Sequence, residues 1–240
     1  MALPKLKVPL FDVTIPSTNK NAKFRPFLVK EEKILLMAQA GGTKKEIVNA
    51  LKQIINNCVV LSDGSSVDVD NLTTFDLEYL FIKIRAKSVD NMVKLRYMDH
   101  EDQKHYDFEV PLDQIEIVHT PEHKNKIKVD KEVGVVLKYP TATMILKMEE
   151  LDIAEEDAAL FMISSCIDYV YDAENVYPAK DETPEELQTF VESLSVSAFT
   201  DIQKFFDTMP KLYYKIEYTN SMGTEREIEL SSLDDFFTLV

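Results

Sequence analysis

The stretch Lys23–Ala38 constrains the fold of this chain more than any other. Phe24 and Phe27 flank the Arg25-Pro26 step, which predicts an extended arm because proline disfavours helical backbone at the preceding residue. A charged turn and a run of apolar residues then predict a helix that ends at Gly41-Gly42. Nothing in this stretch suits bond-making chemistry. It is built to pack, against the rest of this chain or against another chain.

Four consecutive segments follow from the hydrophobic pattern. Apolar residues alternate first, then recur at helical spacing, then alternate again, and finally return to helical spacing before a closing pair of strands. This order predicts an α+β fold, with helical N-terminal and C-terminal parts around a small antiparallel β-sheet. The predicted segments are an extended hairpin arm (1–29), a helical part (30–90), a small antiparallel β subdomain (91–139) and a helical part with a closing β-hairpin (140–240).

Helix starts are marked by capping hydroxyls. Such a hydroxyl precedes each segment of helical spacing in question: Thr43, Thr73 or Thr74, Thr183, and Ser195 or Ser197. The third helix is apolar around most of its circumference, which is typical of a helix at the centre of a domain. Two further expectations are a helix over Ala154–Val170 and a loop from Tyr171 to Asp181.

The composition excludes several functions. A formal net charge of −15 opposes binding to nucleic acid, whose phosphates require Lys and Arg. Five glycines cannot supply a phosphate-binding loop, and no apolar stretch is long enough to predict a membrane span. Cys58 and Cys166 are predicted to be free buried thiols in a reducing compartment. The acidity fits a basic protein partner or simply serves solubility.

Candidate reactive groups lack the partners that chemistry needs. His119 and His123 could share a metal on a helix, but Pro121 between them predicts a loop. Paired carboxylates such as Glu149-Glu150 fall at predicted helix starts and loops, where capping and solubility explain them. The predicted helical run Ser164-Ser165-Cys166 has no nearby histidine to activate a nucleophile. The sequence therefore predicts no catalytic, metal or cofactor site and no small-molecule substrate.

Two features leave alternatives open. Arg85 lies near the end of the apolar third helix, where an arginine can pair inside the fold or anchor a partner. Phe236-Phe237 follow Leu233-Asp234-Asp235 near the C-terminus, either as a lid on the core or as a plug for a neighbour. The sequence also leaves open whether the N-terminal arm packs on its own chain or on another.

Three of these segments, in this order, resemble the baseplate hub subunit family of T-even-like contractile-tailed bacteriophages. They are Phe24–Lys33, Thr74–Val89 and the closing hairpin that leads into Asp234–Phe237, and the resemblance extends from residue 5 to the end. It implies a non-enzymatic tail morphogenesis protein made in the host bacterial cytoplasm. The implied partners are other phage baseplate hub or tail proteins. Retention in the virion tail baseplate and release as an assembly chaperone both stay open.

One position departs from the family pattern. Some relatives carry Cys-x-x-Cys-Gly in the final hairpin, whereas this chain has Thr219-Asn220-Ser221-Met222-Gly223, in which Thr219 and Met222 cannot replace thiolates at a zinc ion. No metal is therefore expected there.

A hydrolase that uses acidic pairs is the competing class and would need two carboxylates in one cleft. If the chain instead acts by binding hub or tail proteins, the expected contact residues are Phe24, Arg25, Phe27, Arg85, Phe236 and Phe237.

Overall fold

A computed structural model describes residues 7–237, apart from the side chains of Glu156 and Phe237. Helices and small antiparallel sheets alternate along the chain, which confirms the α+β class. The strands are β1 (Phe11–Ile15), β2 (Lys20–Phe24), β3 (Val59–Leu61), β4 (Met92–Met98), β5 (His105–Pro111), β6 (Glu116–Val118), β7 (Lys126–Lys128), β8 (Gly134–Leu137), β9 (Ile167–Tyr171), β10 (Val176–Pro178), β11 (Lys211–Thr219) and β12 (Glu225–Leu230). The helices are α1 (Val29–Gly41), α2 (Lys44–Cys58), α3 (Thr74–Ser88), α4 (Ala142–Glu150), α5 (Glu155–Ser165), α6 (Pro184–Glu192), α7 (Val196–Thr208) and α8 (Leu233–Phe237).

The chain divides into two compact units. Unit 1 combines Met1–Val118 with Lys211–Val240, and unit 2 is the continuous segment His119–Pro210. The four segments expected from the sequence divide the chain differently, since the last of them contains the Pro210-Lys211 boundary. Unit 1 is therefore built from both ends of the chain, with unit 2 inserted between β6 and β11.

The predicted N-terminal hairpin is present and packs on its own chain. β1 pairs with β2, and β2 pairs in turn with β3, whose Val59 lies opposite Phe24. In the turn between β1 and β2, the Ser17 amide donates to Asp76 Oδ1 over 2.8 Å, and the Ser17 hydroxyl donates to the other oxygen of the same carboxylate. Asp76 also belongs to the capping box of α3. The arm is thus joined to the first turn of the central helix.

Helix α3 lies at the centre of unit 1, as its apolar composition predicts. Thr73 caps it, and its side chains are buried on most sides. The core around it draws on the β4–β5 and β11–β12 hairpins and on α8. Its buried members are Ile82, Ala86, Leu95, Val110, Leu112, Ile115, Leu212, Ile216, Leu230 and Phe236.

The tips of two hairpins in unit 1 are joined by hydrogen bonds. Tyr218 at the end of β11 donates its hydroxyl proton to Asp99, at the end of β4, over 2.6 Å. In the neighbouring turn, Asn220 donates to Glu101 Oε2 over 2.6 Å, and the Ser221 hydroxyl donates to Asp102 over 2.7 Å. The turn that carries the family departure is therefore held by carboxylates of the opposite hairpin.

Unit 2 has a four-stranded sheet in the order β10-β9-β8-β7, with helices α4 to α7. Its buried core comes from both kinds of element: Val135, Leu137, Ile163, Ile167, Val191, Ile202 and Phe205. The prediction of one helix over Ala154–Val170 is wrong, because α5 ends at Ser165 and Ile167–Tyr171 forms β9. The segment expected to be a loop contains β10, which pairs with β9.

Candidate protein-docking groove

Helix α1 exposes large apolar side chains. Its inward face buries Glu31 and Ala38, while Val29, Leu36 and Met37 on the outward side are 81%, 60% and 64% exposed. A helix that is apolar all round normally lies inside a protein. Contiguous exposed apolar surface on a soluble protein marks an interaction site. The outward face of α1 is therefore a candidate contact surface.

A groove of about 500 Å³ adjoins this face in unit 1. It is open and mostly apolar, and its walls come from α1, α2 and α3 and from the start of α8. Exposed Leu36 forms one edge, and Val89, which is 59% exposed, lies just beyond α3. The lining residues are Phe27, Glu32, Leu35, Leu36, Gln39, Ile47, Leu51, Phe81, Arg85, Val89, Leu233 and Asp234.

Arg85 is a half-buried cation in this apolar groove. Within the described part of the chain it makes one long hydrogen bond, from Nη1 to the backbone oxygen of Asp90 over 3.5 Å. Between residues 7 and 237, no carboxylate reaches ion-pair distance of its guanidinium. Burial lowers the pKa of Arg85, and the charges of Asp90 and Glu32 act in the opposite direction. Most of the donors of this guanidinium are therefore available to a ligand.

Arg25 and Glu31 fix the position of α1. The Arg25 guanidinium donates to Glu31 Oε1 over 3.0 Å and to the backbone oxygen of Asn57, in the last turn of α2, also over 3.0 Å. Glu31 also accepts from the Leu28 amide at the start of α1. Burial opposes the charge on Glu31, but Arg25 and the amide outweigh it and hold the pKa of this carboxyl below its usual value. This pair orients α1 against α2, and those two helices form much of the groove.

The structure brings two of the six expected contact residues together. Phe27 and Arg85 both line the groove. Phe24 and Phe236 are buried in the core of unit 1, and Arg25 is engaged by Glu31 and Asn57. The side chain of Phe237 lies outside the described residues. Contact between any of the six and a partner stays a prediction.

Sequence reasoning did not identify the exposed apolar residues in and beside the groove. The apolar pattern of α1 predicts packing on every side and does not show that Leu36 and Met37 are left uncovered, and no local pattern marks Val89 as exposed. The available signal was the number of apolar residues in α1, which is larger than one buried face needs. A helix with charged residues only in its first turns and no polar face needs cover on every side.

The cysteines and histidines are the candidate reactive groups of the sequence. The Cys58 and Cys166 thiols are buried, which raises the pKa of the first to about 11 and of the second to about 12. His123 stacks on Tyr139, and its Nδ1 lies 3.0 Å from the Thr208 hydroxyl. Among the residues whose placement is described, no group of three or more His, Cys, Asp or Glu side chains could hold a metal ion.

Most of the negative charge belongs to unit 2. Residues 119–210 contain 19 Asp and Glu against 8 Lys and Arg, a net charge of −11 out of −15 for the whole chain. Unit 1 carries the remaining −4. The two units therefore present different surfaces, since the apolar groove belongs to unit 1 and the acidity to unit 2.

Comparison with known proteins gives one finding. A family model described as "T4 bacteriophage base plate protein" matches residues 8–238 of the chain. No curated protein and no solved structure gave a significant match. None of the helices in the described range 7–237 combines the length and the apolar character needed to cross a membrane.

Proposed function

We propose that this chain, which belongs to the family of T4 bacteriophage base plate proteins, is a non-enzymatic component of baseplate hub assembly that acts by protein–protein contact. Its partners would be other hub or tail proteins of the same phage. It would be made in the host bacterial cytoplasm and enter the tail baseplate from there.

The groove beside α1 is the observation that carries this proposal. Leu36 and Val89 expose apolar surface in a concave site that Phe27 and Arg85 also line, and Met37 is exposed next to Leu36 on α1. Concave apolar surface with an arginine is the composition found at the centres of protein interfaces. A stable contact buries roughly 1,200–2,000 Å² in total, so the groove would be the centre of a larger interface.

The test is complementation with matched variants. A phage that lacks the gene for this protein is supplied with wild type, Leu36→Asp or Leu151→Asp, and assembled baseplates are counted by electron microscopy. Leu151 is the control, because it is 62% exposed, similar to Leu36 at 60%, but lies in unit 2.

We expect Leu36→Asp to lower the baseplate yield at least about 10-fold, while Leu151→Asp stays near wild type. Both variants should unfold at the urea concentration of the wild type, since both replace exposed residues. Normal baseplates with Leu36→Asp would argue against the groove as the docking site.

The charge of unit 2 favours a second candidate function, a transient assembly chaperone that is absent from the mature virion. A surface with a net charge of −11 would shield a basic partner until the partner is placed. Quantitative mass spectrometry of purified virions separates the two functions. Peptides of this chain in constant ratio to the tail tube protein support the structural component, and their absence supports the chaperone.

A further inference from the structure

We infer that the groove beside α1 receives an amphipathic helix of another baseplate protein, and that this helix carries a carboxylate that pairs with Arg85. This inference rests on the proposed function and specifies the chemistry of the partner. It has three parts: an apolar contact, a helical ligand and one acidic side chain.

The apolar contact follows from the lining. Leu35, Leu36, Ile47, Leu51 and Phe81 all contribute to the groove, and Leu36 and Ile47 remain exposed in the free protein. Transfer of such side chains out of water favours binding in proportion to the apolar surface that is covered. The partner therefore presents several aliphatic or aromatic side chains.

The helical form of the ligand follows from the elements around the groove. The lining residues belong to α1, α2, α3 and α8 or directly flank α1 and α3, and none belongs to a strand. A peptide in β conformation gains its affinity by pairing with the edge of a sheet, which this site does not offer, and a polyproline segment binds grooves lined by aromatic residues, whereas this lining is mostly aliphatic. A helix satisfies its own backbone and can place apolar side chains at positions i, i+3, i+4 and i+7 in a groove.

The acidic side chain follows from the state of Arg85. Its guanidinium has five N–H donors and, among the described residues, makes a single hydrogen bond of 3.5 Å, to the backbone oxygen of Asp90. A purely apolar ligand would cover this cation without a partner, which is strongly unfavourable. A lysine would add a second positive charge in the same place. A carboxylate satisfies the guanidinium with two parallel hydrogen bonds.

The other charged residues of the groove do not replace this partner. Asp234 already takes part in an interaction within the chain, and Glu32 is exposed at the rim. Both nevertheless give the groove entrance a negative character. The ligand helix is thus expected to combine its one carboxylate with a neutral or basic remainder, in keeping with the net charge of −4 on unit 1.

The experiment uses an array of overlapping 20-residue peptides that cover the other baseplate proteins of the same phage. The array is probed with full-length wild type, with Leu36→Asp, with Arg85→Gln and with Leu151→Asp as the control. The peptides that bind wild type most strongly and fail to bind Leu36→Asp are then resynthesised with each Asp or Glu changed to Asn or Gln. Their affinities for the protein are measured by fluorescence anisotropy.

We expect the bound peptides to have apolar residues at helical spacing. Arg85→Gln should lower the affinity for them by about 10-fold or more. Neutralising one particular acidic residue of the peptide should cause the same loss, and the two changes together should cost little more than either alone. Circular dichroism should show that the peptide becomes helical on binding.

Four outcomes overturn the inference. The first is that no Asp or Glu of the Leu36-dependent peptides affects their affinity. The second is that Arg85→Gln binds these peptides as tightly as wild type does. The third is that no peptide binds in the groove. Self-association of the full-length protein that Leu36→Asp abolishes would assign the groove to a second copy and also overturn it. The complementation result with Leu36→Asp judges the proposed function separately.

Discussion

Val118 and Lys211 lie opposite each other in the antiparallel ladder of β6 and β11, although all of unit 2 lies between them in the chain. The chain therefore leaves unit 1 and returns to it at paired strand ends. Such a pair needs only a two-residue turn to be connected. The arrangement makes unit 2 an insertion in a fold whose own strands already meet.

We predict that unit 1 folds without unit 2. When residues 119–210 are replaced by Asn-Gly, β6 and β11 become a hairpin, and the core around α3 keeps all of its buried members, which belong to unit 1. A shorter loop also lowers the entropy cost of closing it. Circular dichroism and urea titration should show a single cooperative transition.

The control for this excision is Leu212→Asp, introduced into the shortened chain. Leu212 is fully buried and lies opposite Ile117, so a charge there should abolish the transition. A shortened chain that is unfolded even with Leu212 intact would show that unit 1 depends on unit 2.

Local signals predicted much of the fold. The threonines and serine at the predicted helix starts do cap helices, because a capping hydroxyl acts within one turn of the chain: Thr43, Thr73, Thr183 and Ser195. The turn 220–223 likewise lies between the two strands of the closing hairpin. Such features depend on neighbours in sequence, so one sequence contains them.

Pairing between distant segments could not be predicted in the same way. Ile167–Tyr171 continues the apolar run of α5, and its pairing with β8 and β10 makes it a strand. The strands predicted between residues 91 and 139 fall into three different sheets, since β6 pairs with β11 and β8 with β9. The groove needs four helices from separate parts of unit 1 and was equally beyond local reasoning.

The pair of Arg25 and Glu31 should contribute strongly to stability. We predict that Glu31→Gln lowers the free energy of unfolding by about 3 kcal/mol, because removal of the fully buried carboxylate leaves the largely buried Arg25 guanidinium without its charged partner. The folded pKa of Glu31 is depressed, so its contribution is present above the ordinary glutamate value and is lost as the pH falls. Urea titration at pH 7 and pH 4 measures both effects.

Lys94→Gln is the control for Glu31→Gln. Lys94 and Glu109 form an ion pair over 3.7 Å on the exposed face of the β4–β5 hairpin. Its loss should change the stability by less than about 1 kcal/mol at either pH. Equal effects of the two variants would mean that the Arg25–Glu31 pair behaves like a surface ion pair.

Glu78 should destabilise the fold at neutral and alkaline pH. Burial, with smaller contributions from Asp234 and Asp235, raises its pKa from 4.5 to about 7. The folded state therefore keeps a proton that the unfolded chain releases, and the stability gained from that proton is lost as the pH rises from about 4.5 through 7. We predict that Glu78→Gln raises the free energy of unfolding by on the order of 2–3 kcal/mol at pH 8 and changes little at pH 4.

The matched control for Glu78 is Glu225→Gln, an exposed residue of unit 1. It should leave the stability unchanged at both pH values. The measurement is urea titration from pH 4 to pH 8, and a Glu78→Gln curve parallel to that of wild type would contradict a raised pKa in the folded state.

Tyr218 should make the hairpin contact sensitive to alkaline pH. Burial and its hydrogen bond to Asp99 raise the pKa of the phenol from 10.0 to about 12. The folded state thus favours the neutral phenol, so its contribution is complete below pH 10 and is lost as the pH rises towards 12. We predict that Tyr218→Phe is less stable than wild type at pH 8 and that the difference shrinks by pH 11.5.

The control is Tyr213→Phe on the same strand. The Tyr213 hydroxyl lies 3.4 Å from Glu229, and its removal should change the stability little at pH 8. A difference between Tyr218→Phe and wild type that stays constant from pH 8 to pH 11.5 would show that the phenol of Tyr218 does not titrate differently in the folded protein.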